Sequence, residues 1–186
     1  MSPHPEFTAR ELAYGPWNDR DVLHIARNMR AADVAEIFAT RPDCDAWALY
    51  RDLAAVGGRH LWFEIARPLT SMVPLAWFGV VATSPRNGVA HLAATPDLTL
   101  PDARLIAARI RDRMIPALTQ QGLIRVEAHS LAAHGWAHRF LKLAGAQAEG
   151  LPRPNIGKAG EAFQCFVWLT DPETTPIPET QTLEQT

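Results

Sequence analysis

Glu127 and His129 lie two residues apart in the run Arg125-Val126-Glu127-Ala128-His129-Ser130. In an extended strand that spacing puts both side chains on one face. A carboxylate or an imidazole there can take a proton from an amine, so both are candidate catalytic residues. A half-exposed polar strand face would read the same way. His91, His134 and His138 complete a histidine group. His134 and His138 have helical i, i+4 spacing, but no acid at a matching position completes a ligand set. No metal is expected.

The turn Ala94-Thr95-Pro96-Asp97-Leu98-Thr99-Leu100-Pro101-Asp102 precedes the longest helical stretch. A helix start of this kind can cradle a phosphate with its backbone N–H groups. Here the turn has no glycine. Pro96 and Pro101 remove two donors, and Asp97 and Asp102 add negative charge. Asp102 suits a helix start for its own sake. Arg104 is the candidate left to hold an anion. Gly157-Lys158-Ala159-Gly160 lacks the strand-to-helix context of a phosphate loop and reads as a turn with an exposed lysine. No nucleophile elbow, P-loop or dinucleotide fingerprint is present.

These residues need elements to position them. Phe7 to Tyr14 is a candidate first strand, broken by Gly15-Pro16. Asn18 reads as an N-cap, with Asp19 and Asp21 in the first turn of a helix. A second helical piece starts at Asp33 and stops before Pro42, and a third runs from Asp45 to Val56. His60 to Ala66, Val73 to Ala82 and Gly88 to Ala94 are rich in aromatic and β-branched residues and predict antiparallel strands. Pro101 opens the longest helix. Ile106, Ile110, Met114 and Leu118 form its buried stripe, and Pro116 predicts a kink or a tightened last turn. Leu123 to Ser130 reads as a strand, and Gly135 to Ala144 as a helix ended by Gly145. Trp136, Phe140 and Leu143 are the expected inner face of that helix. Leu151 to Glu161 reads as a loop, and Phe163 to Leu169 as the last strand. The layout is α+β or mixed α/β, with one central sheet flanked by helices.

The chain has 186 residues, 47% of them hydrophobic and 20% charged, with a formal net charge of -2. That is an ordinary globular composition for one domain, expected over residues 1–170. No basic stripe advertises nucleic acid, and no apolar run approaches the length of a membrane helix. The start of the chain has no signal-peptide pattern. Cys44 and Cys165 read as free, buried thiols of an intracellular protein. Residues 171–186 are rich in Pro, Thr, Glu and Gln. Asp171 to Pro178 is semi-extended by composition and suited to lie along a partner.

The stretch Ala137-His138-Arg139-Phe140-Leu141-Lys142-Leu143-Ala144-Gly145-Ala146 is similar to the signature of the GNAT (acetyltransferase-like) fold: alanine, apolar positions, tyrosine, then glycine and an aromatic. The resemblance implies a mostly antiparallel sheet. It also implies that the strand before this helix splays from its neighbour to admit the pantetheine arm of acetyl-CoA. The chain departs from the pattern in three places. Leu141 stands where many such enzymes carry a tyrosine that protonates the leaving thiolate, and leucine has no proton to give. Ala146 stands where an aromatic usually packs, and His134 replaces a frequent asparagine.

A narrower resemblance rests on His24-Ile25-Ala26-Arg27-Asn28-Met29-Arg30-Ala31-Ala32-Asp33-Val34-Ala35-Glu36-Ile37, Trp77-Phe78-Gly79-Val80, His138-Arg139-Phe140-Leu141-Lys142 and Gly160-Glu161-Ala162-Phe163. It spans about residues 8 to 169. It is to the small GNAT-like proteins of tailed, mostly short-tailed, phages. It implies a non-catalytic virion component or assembly protein, in the host cytoplasm or the virion. Other phage structural proteins would be its partners, and it would need no cofactor. The alternative is an N-acetyltransferase that draws on acetyl-CoA and acts on an amine. A third reading is a ligand- or host-protein-binding module reusing the cleft, since six tryptophans leave room for an exposed aromatic patch.

Overall fold

A computed structural model describes residues 11–170. The strands are β1 (Leu12–Gly15), β2 (His60–Pro68), β3 (Ala76–Ser84), β4 (Asn87–Ala94), β5 (Arg125–Leu131), β6 (Gln147–Arg153) and β7 (Phe163–Leu169). They form one sheet in the order β1-β2-β3-β4-β5-β7-β6. Only β4 and β5 run parallel; every other neighbour pair is antiparallel. This is the mixed, mostly antiparallel sheet expected. The first half of the candidate first strand and all of the Pro-rich tail lie outside the described residues.

Helices cover both faces, because strand alternation makes both apolar. On one face lie α1 (Asp19–Arg27), α2 (Ala31–Ala39) and α3 (Ala46–Ala55). Val22, Ile25, Phe38, Leu49 and Leu53 pack there on Ile65, Trp77 and Ala93. On the other face lie α4 (Leu100–Arg109), α5 (Ile115–Gln120) and α6 (Gly135–Leu143). Ile106, Ile110, Met114 and Phe140 pack there on Phe78, Val80, Val126, Phe166 and Trp168. Asn18 caps α1 by accepting the Asp21 N–H, and Asp45 caps α3.

Several sequence expectations are corrected. The second helix starts at Ala31, so Asp33 lies inside its first turn and is buried. Pro116 produces a π turn and not a simple kink. It has no N–H to offer the preceding turn, and the helix widens over Ile110–Met114 so that the Ile115 N–H reaches the Ile110 carbonyl. The expected stripe survives this change, with Ile106, Ile110, Met114 and Leu118 all buried. Leu143 is 43% exposed, and Leu141 packs against the core cluster that holds Phe140 instead. The loop expected from Leu151 begins as strand, since β6 runs to Arg153. Gly150 and Pro152 hid that strand, as both are poor strand formers. Cys165 is buried, but Cys44 is exposed. Of the tryptophans, only Trp47 is exposed, stacked on Tyr50, so the expected aromatic patch shrinks to one ring.

Candidate functional site

The parallel pair β4–β5 holds only at Asn87–Arg125, Gly88–Val126 and Val89–Glu127. Beyond these residues the strands diverge. β4 keeps regular pairing with β3 up to Ala94, so its other edge faces the gap. The Ala94 backbone shows which residues present that edge. Its N–H donates to Asp33 Oδ2 at 2.9 Å, and its carbonyl accepts the Arg30 N–H at 2.9 Å. Ladder alternation puts Leu92 and Ala90 in the same set, with their backbone groups turned to the gap.

α2 spans the mouth of the gap. Its start holds β4 through Arg30 and Asp33, which also form a bidentate pair at 2.8 and 3.0 Å. One turn on, Glu36 holds β5. Its Oε2 accepts from the Ser130 hydroxyl at 2.6 Å, the Leu131 N–H at 2.8 Å and His134 Nδ1 at 2.9 Å. A carboxylate only accepts, so the proton of His134 sits on Nδ1. The Arg30 guanidinium lies 3.9 Å above the Trp136 ring, tying α2 to α6. His138 Nε2 donates to the Leu131 carbonyl at 2.9 Å. The i, i+4 histidines therefore serve two separate hydrogen bonds.

The candidate base residues come together as their alternation predicts. His129 Nε2 donates to Glu127 Oε2 at 3.1 Å. This leaves His129 Nδ1 with a lone pair in the neutral ring. Arg125 grips Glu127 and also Glu149 on β6. The guanidinium holds the Glu127 carboxyl below the usual carboxylate range. Of the two candidates, Glu127 is the one held as an anion against Arg125, and His129 is the one that keeps a lone pair. Cys165 stands opposite His129 in the β5–β7 ladder. The ligand atoms of Glu127, His129 and Cys165 lie within 4.8 Å of one another, a grouping the sequence hid because β7 is distant in the chain. The Arg125 charge already serves the carboxylate there. Burial first, then the two nearby carboxylates, pushes the Cys165 thiol up, which makes it a poor nucleophile.

The gap opens into a cleft of about 430 Å³, within the range of small-molecule sites. It runs between the two helical layers. Leu141, Phe140, Ala128 and Met114 line it on one side, and Leu49, Leu53, Trp77 and His91 on the other. His129, Ser130 and His134 also reach it. The β6–β7 connection closes one flank. The Lys158 N–H donates to the Ala39 carbonyl at 2.7 Å, and Lys158 Nζ donates to the Arg41 carbonyl at 3.1 Å. Lys158 is exposed, as expected of a turn.

The start of α4 is closed upon itself. Thr99 Oγ1 accepts the Asp102 N–H, while Asp102 Oδ2 accepts the Thr99 N–H at 3.1 Å. This reciprocal capping satisfies two of the donors a diphosphate would use. It also leaves a buried carboxylate where an anion would sit. Arg104 stands exposed at the start of the second turn of α4. The residues thus fit a pantetheine arm in the gap better than a diphosphate at the helix start.

Arg30, Asp33 and Glu36 were missed as site residues. Their i, i+3, i+6 spacing puts them on one side of a helix, within the run quoted above for its resemblance to phage proteins. Nothing local marks their partners, which lie up to 98 residues away.

No known family profile matches the chain, and no curated protein matches it. Solved structures do. yncA from Salmonella typhimurium, with its cofactor acetyl-CoA, superposes with a TM-score of 0.66 at 13% identity, covering 90% of this chain and 98% of that one. The spermidine N-acetyltransferase from Vibrio cholerae, in complex with CoA and spermine, gives 0.64 at 12% identity, with 85% and 95% covered. The ribosomal-protein-S18-alanine N-acetyltransferase from Escherichia coli gives 0.61 at 15% identity, with 90% and 100% covered. The chain has the GNAT fold, and these likenesses carry the fold alone.

Proposed function

We propose that this protein is an acyl-CoA-dependent N-acyltransferase whose donor thioester lies between β4 and β5. One observation carries the reading. The only parallel pair among the described strands parts after three residue pairs, and the freed Ala90–Leu92 edge faces a cleft open to both helical layers. Pantetheine amides can hydrogen-bond such an edge as an added strand does. The solved relatives described with acetyl-CoA or CoA support the same donor class.

The acceptor amine attacks the thioester carbonyl. His129 Nδ1 takes the proton from the attacking nitrogen, with Glu127 holding the ring and stabilising its positive charge. The C–S bond then breaks. His129 returns the proton to the departing thiolate, a role that Leu141 cannot fill. Backbone N–H groups of the free β4 edge supply hydrogen bonds to the carbonyl oxygen as charge develops on it.

Isothermal calorimetry with CoA and acetyl-CoA tests the reading: binding is expected, and silence at millimolar ligand sinks it. A non-catalytic place in a phage particle remains an implication of the sequence resemblance. None of the three structures named above is described as a virion protein.

A further inference from the structure

The α1–α3 layer has its core on one half of its sheet face. That core includes Ile65, Trp77 and Ala93 of β2, β3 and β4, but no described residue of β5, β6 or β7. Register shows what the other half carries. Glu127 stands beside Val89, which alternates with His91 and Ala93 onto this face. His129 follows Glu127 on the same face of β5. Cys165 of β7 is directly opposite His129, and Glu149 of β6 is directly opposite Cys165. A carboxylate, an imidazole and a thiol are thus set side by side on two paired strands. The ligand atoms of Glu127, His129 and Cys165 lie within 4.8 Å of one another.

A tetrahedral zinc ion would hold one nitrogen, one oxygen and one sulfur ligand about 3.3–3.7 Å apart. His129 Nε2 and Glu127 Oε2 are already 3.1 Å apart. Cys165 Sγ makes a weak contact, 3.9 Å from the Phe166 carbonyl, which a side-chain rotation gives up at little cost. The carboxylate is oriented for a metal. The Arg125 Nε–H donates to Glu127 Oε1, which leaves Oε2 on the His129 side. Such a hydrogen bond to the other oxygen fixes a ligating carboxylate. Arg125 also opposes a cation by its charge, as does Arg153 within electrostatic reach. Arg125 is shared between two carboxylates, since its Nη1 donates to Glu149 at 2.9 Å. His129 is exposed and lines the cleft, so an ion can enter from solvent.

We propose that Glu127 Oε2, His129 Nε2 and Cys165 Sγ form a reversible site for a borderline-soft divalent cation of the zinc type. The donor set selects the metal: magnesium and calcium take oxygen ligands, whereas thiolate and imidazole suit zinc. Three protein ligands leave the fourth position to water, the make-up of an open site and not of a closed structural one. On binding, the thiol proton passes to solvent, and the imidazole proton moves from Nε2 to Nδ1. Nδ1 is the atom that takes the amine proton in the acyl-transfer reading. One consequence rests on that reading: with zinc bound, Nδ1 has no lone pair and acyl transfer stops. The site itself does not depend on it.

Titration of the full chain with Co²⁺, followed by competition with Zn²⁺, tests the site. One ion per chain is expected, with a thiolate-to-cobalt charge-transfer band in the near ultraviolet that zinc removes. Cys165→Ser should abolish the band, and Cys44→Ser should keep it. Outer partners of a metal site are worth about 10–100-fold in affinity, so His129→Ala, which removes a ligand, should weaken cobalt binding by more than about a hundredfold. It also serves as the test if Cys165→Ser does not fold. No thiolate band in the unaltered protein, a band lost with Cys44→Ser instead, or unchanged binding by His129→Ala would each overturn the site. Acyl transfer that zinc leaves unchanged at saturation overturns the switch on His129. If no acyl-CoA binds, the acyltransferase reading fails, while the cobalt band still reports the site.

Discussion

The carboxylate of Asp33, on α2, accepts the backbone N–H of Ala94, the last residue of β4, at 2.9 Å. The same carboxylate is held by Arg30. The Arg30 N–H in turn closes on the Ala94 carbonyl. A helix start has thus taken over the pairing of a strand end whose natural neighbour has moved away. Glu36 does the same for β5 at Leu131. α2 thus pins the parted ends of both strands, while the strands pair with each other only at Asn87–Val89 and Arg125–Glu127.

Removing that pin should be costly. Asp33→Ala leaves the Ala94 N–H and a partly buried Arg30 without their acceptor, and should destabilise the fold by about 3–5 kcal/mol. Asp33→Asn retains an acceptor for the amide and should cost less. Urea denaturation of the three proteins measures both. Equal midpoints would show that the pin carries no weight.

The His129–Glu127 pair should govern turnover more than binding. His129→Ala is expected to lower kcat by about 10²-fold with little change in KM for the donor. Arg125→Met frees Glu127 to turn away, and should lower kcat by a smaller factor, partly restored by Arg125→Lys. A rise in donor KM with kcat unchanged would assign these residues to binding instead.

His91 links stability to pH. The unfolded imidazole takes up its proton near pH 6.5, but the folded one does so only near pH 3. Between those values the unfolded chain binds more protons, so stability rises with pH and falls on acidification from 6.5 towards 3. The slope from this residue reaches about 1.4 kcal/mol per pH unit. His91→Phe should flatten it. Urea midpoints at pH 7, 5.5 and 4.5 for both proteins measure the difference, and parallel curves would contradict it.

On the proposed acyl-CoA reading, the self-capped start of α4 predicts that the nucleotide end of the donor adds little to binding. An S-acyl-pantetheine should bind within about a factor of ten, or about 1.4 kcal/mol, of the matching acyl-CoA. Competition against a fluorescent CoA analogue reads this directly. A loss of several hundredfold would mean that phosphate contacts dominate after all.

Local patterns made much of the fold legible. Alternation marked β2, β3, β4, β5 and β7, the Ile106–Leu118 stripe marked the long helix, and Gly145 marked the end of α6 with a φ of 93°. The Glu127–His129 pair followed from period two alone, since two residues on one strand face need no tertiary contact to meet. What local pattern cannot carry is which distant groups share a gap. Asp33 and Glu36 look like surface acids of a helix until α2 is laid across β4 and β5. β6 stayed hidden because an exposed edge strand has no buried face to impose alternation. His91 looks polar in sequence, and becomes an apolar wall only when Phe63 and His60 surround it. The chain therefore specifies its strands, helices and candidate base through short-range periodicity. Packing sets the splay and its two carboxylate pins, because those depend on which desolvated groups are brought into contact across long stretches of chain.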